Sequence, residues 1–165
     1  MKNILLLLLP IILLISCGTN TTTENTSDSN PGEDKMTYDS IAAKKYGADD
    51  YGMRKYVIAF LKRGPNRDRS KEESAALQSA HMKNIGRMAD EGKLVLAGPF
   101  YGDGDLRGLY VFNVETIAEA EALTNSDPAI QAGSLEMELK EWYGSAAVMA
   151  ISDIHSTLRK VDITK

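Results

Sequence analysis

Apolar positions along this chain fall into blocks of two different periods. Residues 55–62 run Tyr, Val, Ile, Ala, Phe and Leu together, the pattern of a strand covered on both faces. From residue 71 to 91 the period changes. Leu77, His81, Ile85 and Met88 fall on one face at about 3.6 residues per turn, which predicts an amphipathic helix. Ser70 and Glu73 stand at capping-box spacing at its start, and Gly92 supplies its stop. A short strand follows at 94–97 and ends at Gly98 and Pro99. The glycines and aspartates of 102–105 then form a hairpin connection into a third strand, 106–114.

Thr116 and Glu119 repeat the capping-box spacing and open a second helix through Leu123. Asp127 caps one further helical turn, with Pro128 in its first position and Gly133 closing it. Leu135, Met137 and Leu139 alternate with Glu136, Glu138 and Lys140 in a fourth strand that ends at Trp142 and Tyr143. A short helix over 38–46 precedes the first strand.

The order strand, helix, strand, strand, helix, strand predicts an α+β domain of the ferredoxin-like split βαβ kind, β-α-β-β-α-β, with a four-stranded antiparallel sheet. Both helices then cover one sheet face. The other face is apolar too, because Tyr56, Ile58 and Phe60 point away from Val57, Ala59 and Leu61. Burying one large apolar side chain is worth about 1.5 to 3 kcal/mol, so that face needs a cover. The simplest cover is the same face of a second copy, a homodimer. The alternative is that the terminal segments, 38–51 and 145–160, fold over it.

The first 16 residues change the picture by giving an address. Lys2, an apolar run from Ile4 to Ile15 broken by Pro10, and small Ser16 make an export signal shorter than the roughly 20 residues of a spanning helix. Leu14, Ile15, Ser16 and Cys17 resemble the bacterial lipobox, so Cys17, the sole cysteine, is the expected lipidation site. The expected location is the bacterial cell envelope, with the membrane as a partner through that lipid. Residues 17–36, rich in Thr, Ser, Asn, Asp and Gly, read as a disordered tether. An N-terminal helical extension (37–53), one domain (54–150) and a C-terminal tail (151–165) follow.

A net charge of -4 argues against nucleic-acid binding. The basic loop Lys62, Arg63, Arg67 and Arg69 reads as a solvated surface before an anion site. His81 is the feature the pattern does not explain, since a group that titrates near neutral pH is an odd choice inside an apolar stripe.

The ordered series of His81, Glu91 to Leu94, Ala97 to Phe100, Arg107-Gly108, Asp127-Pro128, Ala132-Gly133 and Trp142 to Gly144 resembles the YCII-related (YciI-like) family over roughly 55–149. The resemblance implies a dimeric α+β barrel and a His81 and Asp127 pair in a cleft. Such a pair performs proton transfer without a cofactor, because the carboxylate orients the imidazole and stabilises the imidazolium. The expected chemistry is an isomerase or lyase step on a small cyclic or carbonyl compound, with no cofactor and no metal. Arg107 is the expected anchor for an anionic ligand group, Gly98 and Pro99 belong to the cleft, and Phe100 and Trp142 are its expected apolar walls. The alternative is a lipoprotein that binds a small ligand, or dimerises, without catalysis. His155 reads as an inert tail residue.

Overall fold

The computed structural model describes residues 37–164; the signal at 1–16, Cys17 and the tether at 17–36 lie outside the described residues. Four strands form one antiparallel sheet in the order β2-β3-β1-β4. They are β1 (Met53–Arg63), β2 (Leu94–Pro99), β3 (Leu106–Phe112) and β4 (Leu135–Ser145). β1 is central, with Ile58 opposite Val111 of β3 and Tyr56 opposite Trp142 of β4. This is the expected split βαβ plan.

Two helices cover one face, α2 (Lys71–Asp90) and α3 (Ile117–Thr124). Both carry complete capping boxes, Ser70 with Glu73 and Thr116 with Glu119. Capping satisfies amides that the first turn leaves unpaired, so these helices begin where the sequence says. The main core lies beneath them, where Val57, Ala59 and Leu61 meet Met88, Phe112 and Ala120.

The outer ends of two strands differ from expectation. β3 stops at Phe112 because the Asn113 amide donates instead to the Lys93 carbonyl, 2.9 Å away. β4 runs on to Ser145, since the start of β1 offers Met53 as its pairing partner. Between α3 and β4, a four-residue helix, α4 (Pro128–Gln131), is capped by Asp127 and followed by Gly133 at φ 65°.

The second sheet face is covered in part by the chain itself. After β4 a 3-10 turn, Ala146–Ala150, packs Val148 and Met149 against Tyr56, Val95 and Val111. The C-terminal alternative therefore holds at this end of the sheet. Ile58, Phe60 and Leu109 stay half-buried beyond that cover. Alongside them Glu138 of β4 sits between Lys62 and Lys140, whose ammonium groups hold its carboxyl down at about 2.

The rest of the C-terminal segment continues around the β2 edge. Helix α5 (Ile151–Leu158) docks there, with the Ser152 hydroxyl donating to the Val95 carbonyl at 3.2 Å. The chain then reaches α2, where a Cβ on Gly86 would lie 2.8 Å from Oγ1 of Thr164. At the other terminus α1 (Ser40–Tyr46) is tied to β1 through Arg54, which donates to the Tyr46 carbonyl at 2.8 Å. Among the described residues no helix is long and apolar enough to cross a membrane.

Candidate active site

His81 and Asp127 meet under the helical layer. The Nδ1 of His81 lies 2.9 and 2.8 Å from the two carboxylate oxygens of Asp127. Asp127 is fully buried, while His81 keeps 7% of its surface. Because a carboxylate only accepts, Nδ1 carries the proton and donates it, which leaves the Nε2 lone pair on the far side of the ring.

Each partner is held from its own backbone. One Asp127 oxygen also accepts the Ala129 amide at 2.8 Å, so the same carboxylate caps α4 and orients the imidazole. The two readings of Asp127, cap or catalytic partner, are not exclusive. One residue away, Arg87 of α2 donates to both the Asn84 side-chain oxygen and the Ser126 hydroxyl at 2.9 Å. That network clips the Asp127 turn to the helix carrying His81.

The basic loop braces the turn from the other side. Arg67 and Arg69 donate to the carbonyls of Ser134 and Ala132, just beyond α4. Gly64 passes so close that a Cβ would sit 2.3 Å from the Gly133 carbonyl oxygen. Arg63 likewise donates to the Asp103 carbonyl at 2.9 Å, so all three of the loop's arginines are spent on backbone carbonyls rather than presented to an anion.

Tyr110 is the site residue that sequence reasoning missed. Its hydroxyl lies 3.3 Å from Nε2 of His81, where it donates to the free lone pair. Burial first, and then the nearby Asp127 charge, push the phenol far above its usual range, so it stays protonated as a donor. Strand alternation places Tyr110 on the helix-covered face with Phe112. A tyrosine there, level with a buried histidine, was the available signal.

The imidazole edge opens on a cavity of about 510 Å³ between α2, β2 and the C-terminal segment. Gly98, Pro99 and Arg107 line it. One Arg107 nitrogen donates to the carbonyls of Gly102 and Gly104 at 3.0 and 3.3 Å, which leaves its remaining donors unassigned there. Gly108 also lines it, and a Cβ there would lie 2.8 Å from the Gly98 carbonyl.

Two expected wall residues are elsewhere. Trp142 pairs with Tyr56 on the opposite face of the sheet, ring centroids 5.5 Å apart, because the β1 and β4 register gives it that parity. Phe100 is absent from the cavity lining and 43% exposed, since its amide is held in the hairpin by the Arg107 carbonyl at 2.9 Å. His155 also departs from expectation. It lines the same cavity as His81, with Arg159 one turn further along.

The YCII-related domain model matches residues 56–143, more than half of the chain. The chain belongs to the YCII-related family. The chain is 31% identical over 64 residues to an uncharacterised protein, YjpA, of Bacillus subtilis (strain 168), covering 39% of this chain and 73% of that protein. Among solved structures it is similar, at 20% identity and a TM-score of 0.40, to the 5-chloro-2-hydroxyhydroquinone dehydrochlorinase TftG of Burkholderia phenoliruptrix AC1100 in complex with 2,5-dihydroxybenzoquinone. That match covers 54% of this chain and 93% of TftG. The YCII-related domain carries His81, Arg107, Tyr110 and Asp127, whereas α5 and the residues after it lie beyond its end. Among the described residues no group of three or more His, Cys, Asp or Glu is placed to hold a metal ion.

Proposed function

We propose that this YCII-related protein is an acid-base enzyme that moves a proton on a small cyclic or carbonyl compound in an isomerase or lyase step. The observation that carries the reading is the buried, doubly accepted Nδ1 of His81, which leaves Nε2 beside a protonated Tyr110 at the wall of an open cavity. In this reading the substrate carbonyl oxygen takes over the hydrogen bond of the Tyr110 hydroxyl, which frees the Nε2 lone pair to take a proton from the carbon next to that carbonyl. Asp127 stabilises the imidazolium as it forms, and the Tyr110 hydroxyl donates to the oxygen on which negative charge develops. The proton then returns to a neighbouring atom, or a leaving group departs. Arg107 holds an anionic substituent at the β3 end of the cavity.

The test is exchange of carbon-bound hydrogen in heavy water, followed by NMR over a panel of small ketones, lactones and quinols. Thermal shift of the full chain first selects the compounds that bind. Expected is wash-out of one carbon-bound hydrogen, abolished in His81→Gln. Compounds that bind and exchange nothing overturn the enzyme and leave a binding protein.

The protein's setting belongs to the same proposal. A homodimer covers Ile58, Phe60 and Leu109 on the second sheet face, and lipidation of Cys17 holds the domain at the cell envelope. A dimeric mass by light scattering and labelling of Cys17 by a fatty-acid analogue are the expected results. A monomeric mass at micromolar concentration, or an unlabelled chain, refutes the corresponding part.

A further inference from the structure

One wall of the His81 cavity is built by a segment that the YCII-related domain does not include, and it mixes polar with apolar groups. Ile151, Ser152, His155 and Arg159 all line the cavity, so steps of about four residues turn one face of α5 and its end into it. Two contacts fix that rotation. The Ser152 hydroxyl donates to the Val95 carbonyl at 3.2 Å, and on another side of α5 Asp153 pairs with Lys45 of α1 at 2.9 Å.

The charged and titratable groups around the cavity are His81 and Asp90 of α2, Arg107 and Tyr110 of β3, and His155, Arg159 and Asp162 of the C-terminal segment. Arg159 is paired with Asp162 at 3.2 Å, so those two cancel. β2 and the 3-10 turn, against which α5 packs, carry no charged side chain, and Asp153 is answered by Lys45. Within the domain Arg107 is set against Asp90 and, behind His81, against Asp127. The domain's own groups therefore give the cavity no surplus of positive charge. His155 is the group that supplies one when it takes up a proton.

We infer that His155 is a specificity-determining residue of this site, whose imidazolium selects a small carbonyl compound that carries a carboxylate. The inference rests on the cavity beside His81 being the site of the proposed function, with Arg107 as one contact of the anionic group. It concerns binding, so it stands or falls separately from turnover. A cation on the wall of a cleft attracts an anion inside it, whereas a neutral imidazole offers only a hydrogen bond. Affinity for the carboxylate therefore rises as pH falls through the range in which imidazole titrates, while a neutral ligand of the same shape gains nothing. His155 is exposed, so solvent screening holds the gain to roughly fivefold.

The probes are 4-oxocyclohexanecarboxylate, a ring ketone with a carboxylate, and its neutral carboxamide. Calorimetric titration of the full chain at constant ionic strength compares them at about pH 5.5 and about pH 8, on either side of an ordinary imidazole pKa. The carboxylate is expected to bind roughly fivefold tighter at the lower pH, and the amide equally at both. His155→Gln should hold the carboxylate at its weaker affinity throughout. His155→Lys, which keeps a cation at both pH values, should hold it near the tighter one. Both variants put a good helix former at an exposed helical position, so the fold is kept. His81→Gln should retain the pH dependence. Exchange of the ring hydrogens beside the ketone in heavy water reads turnover separately, and a His155-dependent slope without exchange supports this inference while refuting the catalytic reading alone. A slope that survives in His155→Gln or vanishes in His81→Gln, or a carboxylate that binds no better than the amide at the lower pH, overturns the inference.

Discussion

Replacing Asp127 by asparagine tests the site without a known substrate. The amide oxygen can still accept the Ala129 amide that caps α4, now 2.8 Å from the carboxylate. The other end of the amide is a donor, and it faces an imidazole Nδ1 that at present also donates, at 2.8 and 2.9 Å. Two donors repel across that contact, and the retained oxygen, 2.9 Å from Nδ1, is already taken by the Ala129 amide, so the proton is expected on Nε2 and the lone pair that faces Tyr110 is lost. The variant forfeits a charge-assisted hydrogen bond worth about 1.5 to 3 kcal/mol but keeps its cap. For a domain of this size that corresponds to a fall in Tm of roughly 5 to 10 °C. Asp127→Ala should fall further, by about 1 kcal/mol for the missing cap.

The assay is nitrogen-15 NMR of the imidazoles together with thermal unfolding. The chain has two histidines, and His155 serves as the internal control. Expected is a change of the His81 tautomer from Nδ1–H to Nε2–H in Asp127→Asn, with His155 unmoved. Once a substrate is in hand, turnover should drop by about 10⁴, the loss seen when the corresponding carboxylate is neutralised in Ser-His-Asp triads. An Nδ1–H imidazole in Asp127→Asn, or an unchanged Tm, would show that the carboxylate does not set the proton's place.

Tyr110→Phe should lower turnover by about 10² to 10³ if the hydroxyl stabilises a developing oxyanion. It should also flatten alkaline unfolding: the buried phenol keeps its proton in the fold while the unfolded chain loses it above about pH 10, so stability falls as pH rises and Phe removes that slope. An identical alkaline profile for parent and variant counts against the buried phenol. Lys62→Met should return the Glu138 carboxyl from about 2 toward its ordinary 4.5, read by carbon-13 NMR. The depressed value means that the pairing favours the fold above about pH 4.5 and is lost as pH falls toward 2, so an unshifted Glu138 in the variant would refute the Lys62 contribution. Gly64→Ala places a methyl 2.3 Å from a backbone oxygen that cannot move alone, and should cost about 3 kcal/mol by urea unfolding. A parent-like midpoint would mean that the crossing under α4 is loose.

Much of this was legible before any coordinates. Capping boxes at Ser70 and Thr116 and the Asp127-Pro128 turn act within a few residues, so their meaning does not depend on the rest of the chain. The period-two alternation of β4 separated its core side chains, Leu135, Met137 and Leu139, from its outward charges. His81 stood out because a helical stripe is also a local property. Even the expected partner, Asp127, rested on a resemblance in residue order and not on any reading of distance.

Contacts that depend on register and on long-range return of the chain were not legible in this way. Trp142 lies on the far side of the sheet because β1 and β4 pair as they do, and no local pattern states which face of a sheet will border a cavity. Tyr110 becomes a site residue only when α2 crosses β3 at the level of His81. His155 reads as polar tail until the chain turns around the β2 edge and brings it to the cavity wall. The elements, their caps and the polar intruder in the core follow from residue order, since these are settled by interactions between near neighbours. The fold alone determined which of those groups face one another across empty space, since that is set by how elements distant in sequence close upon each other.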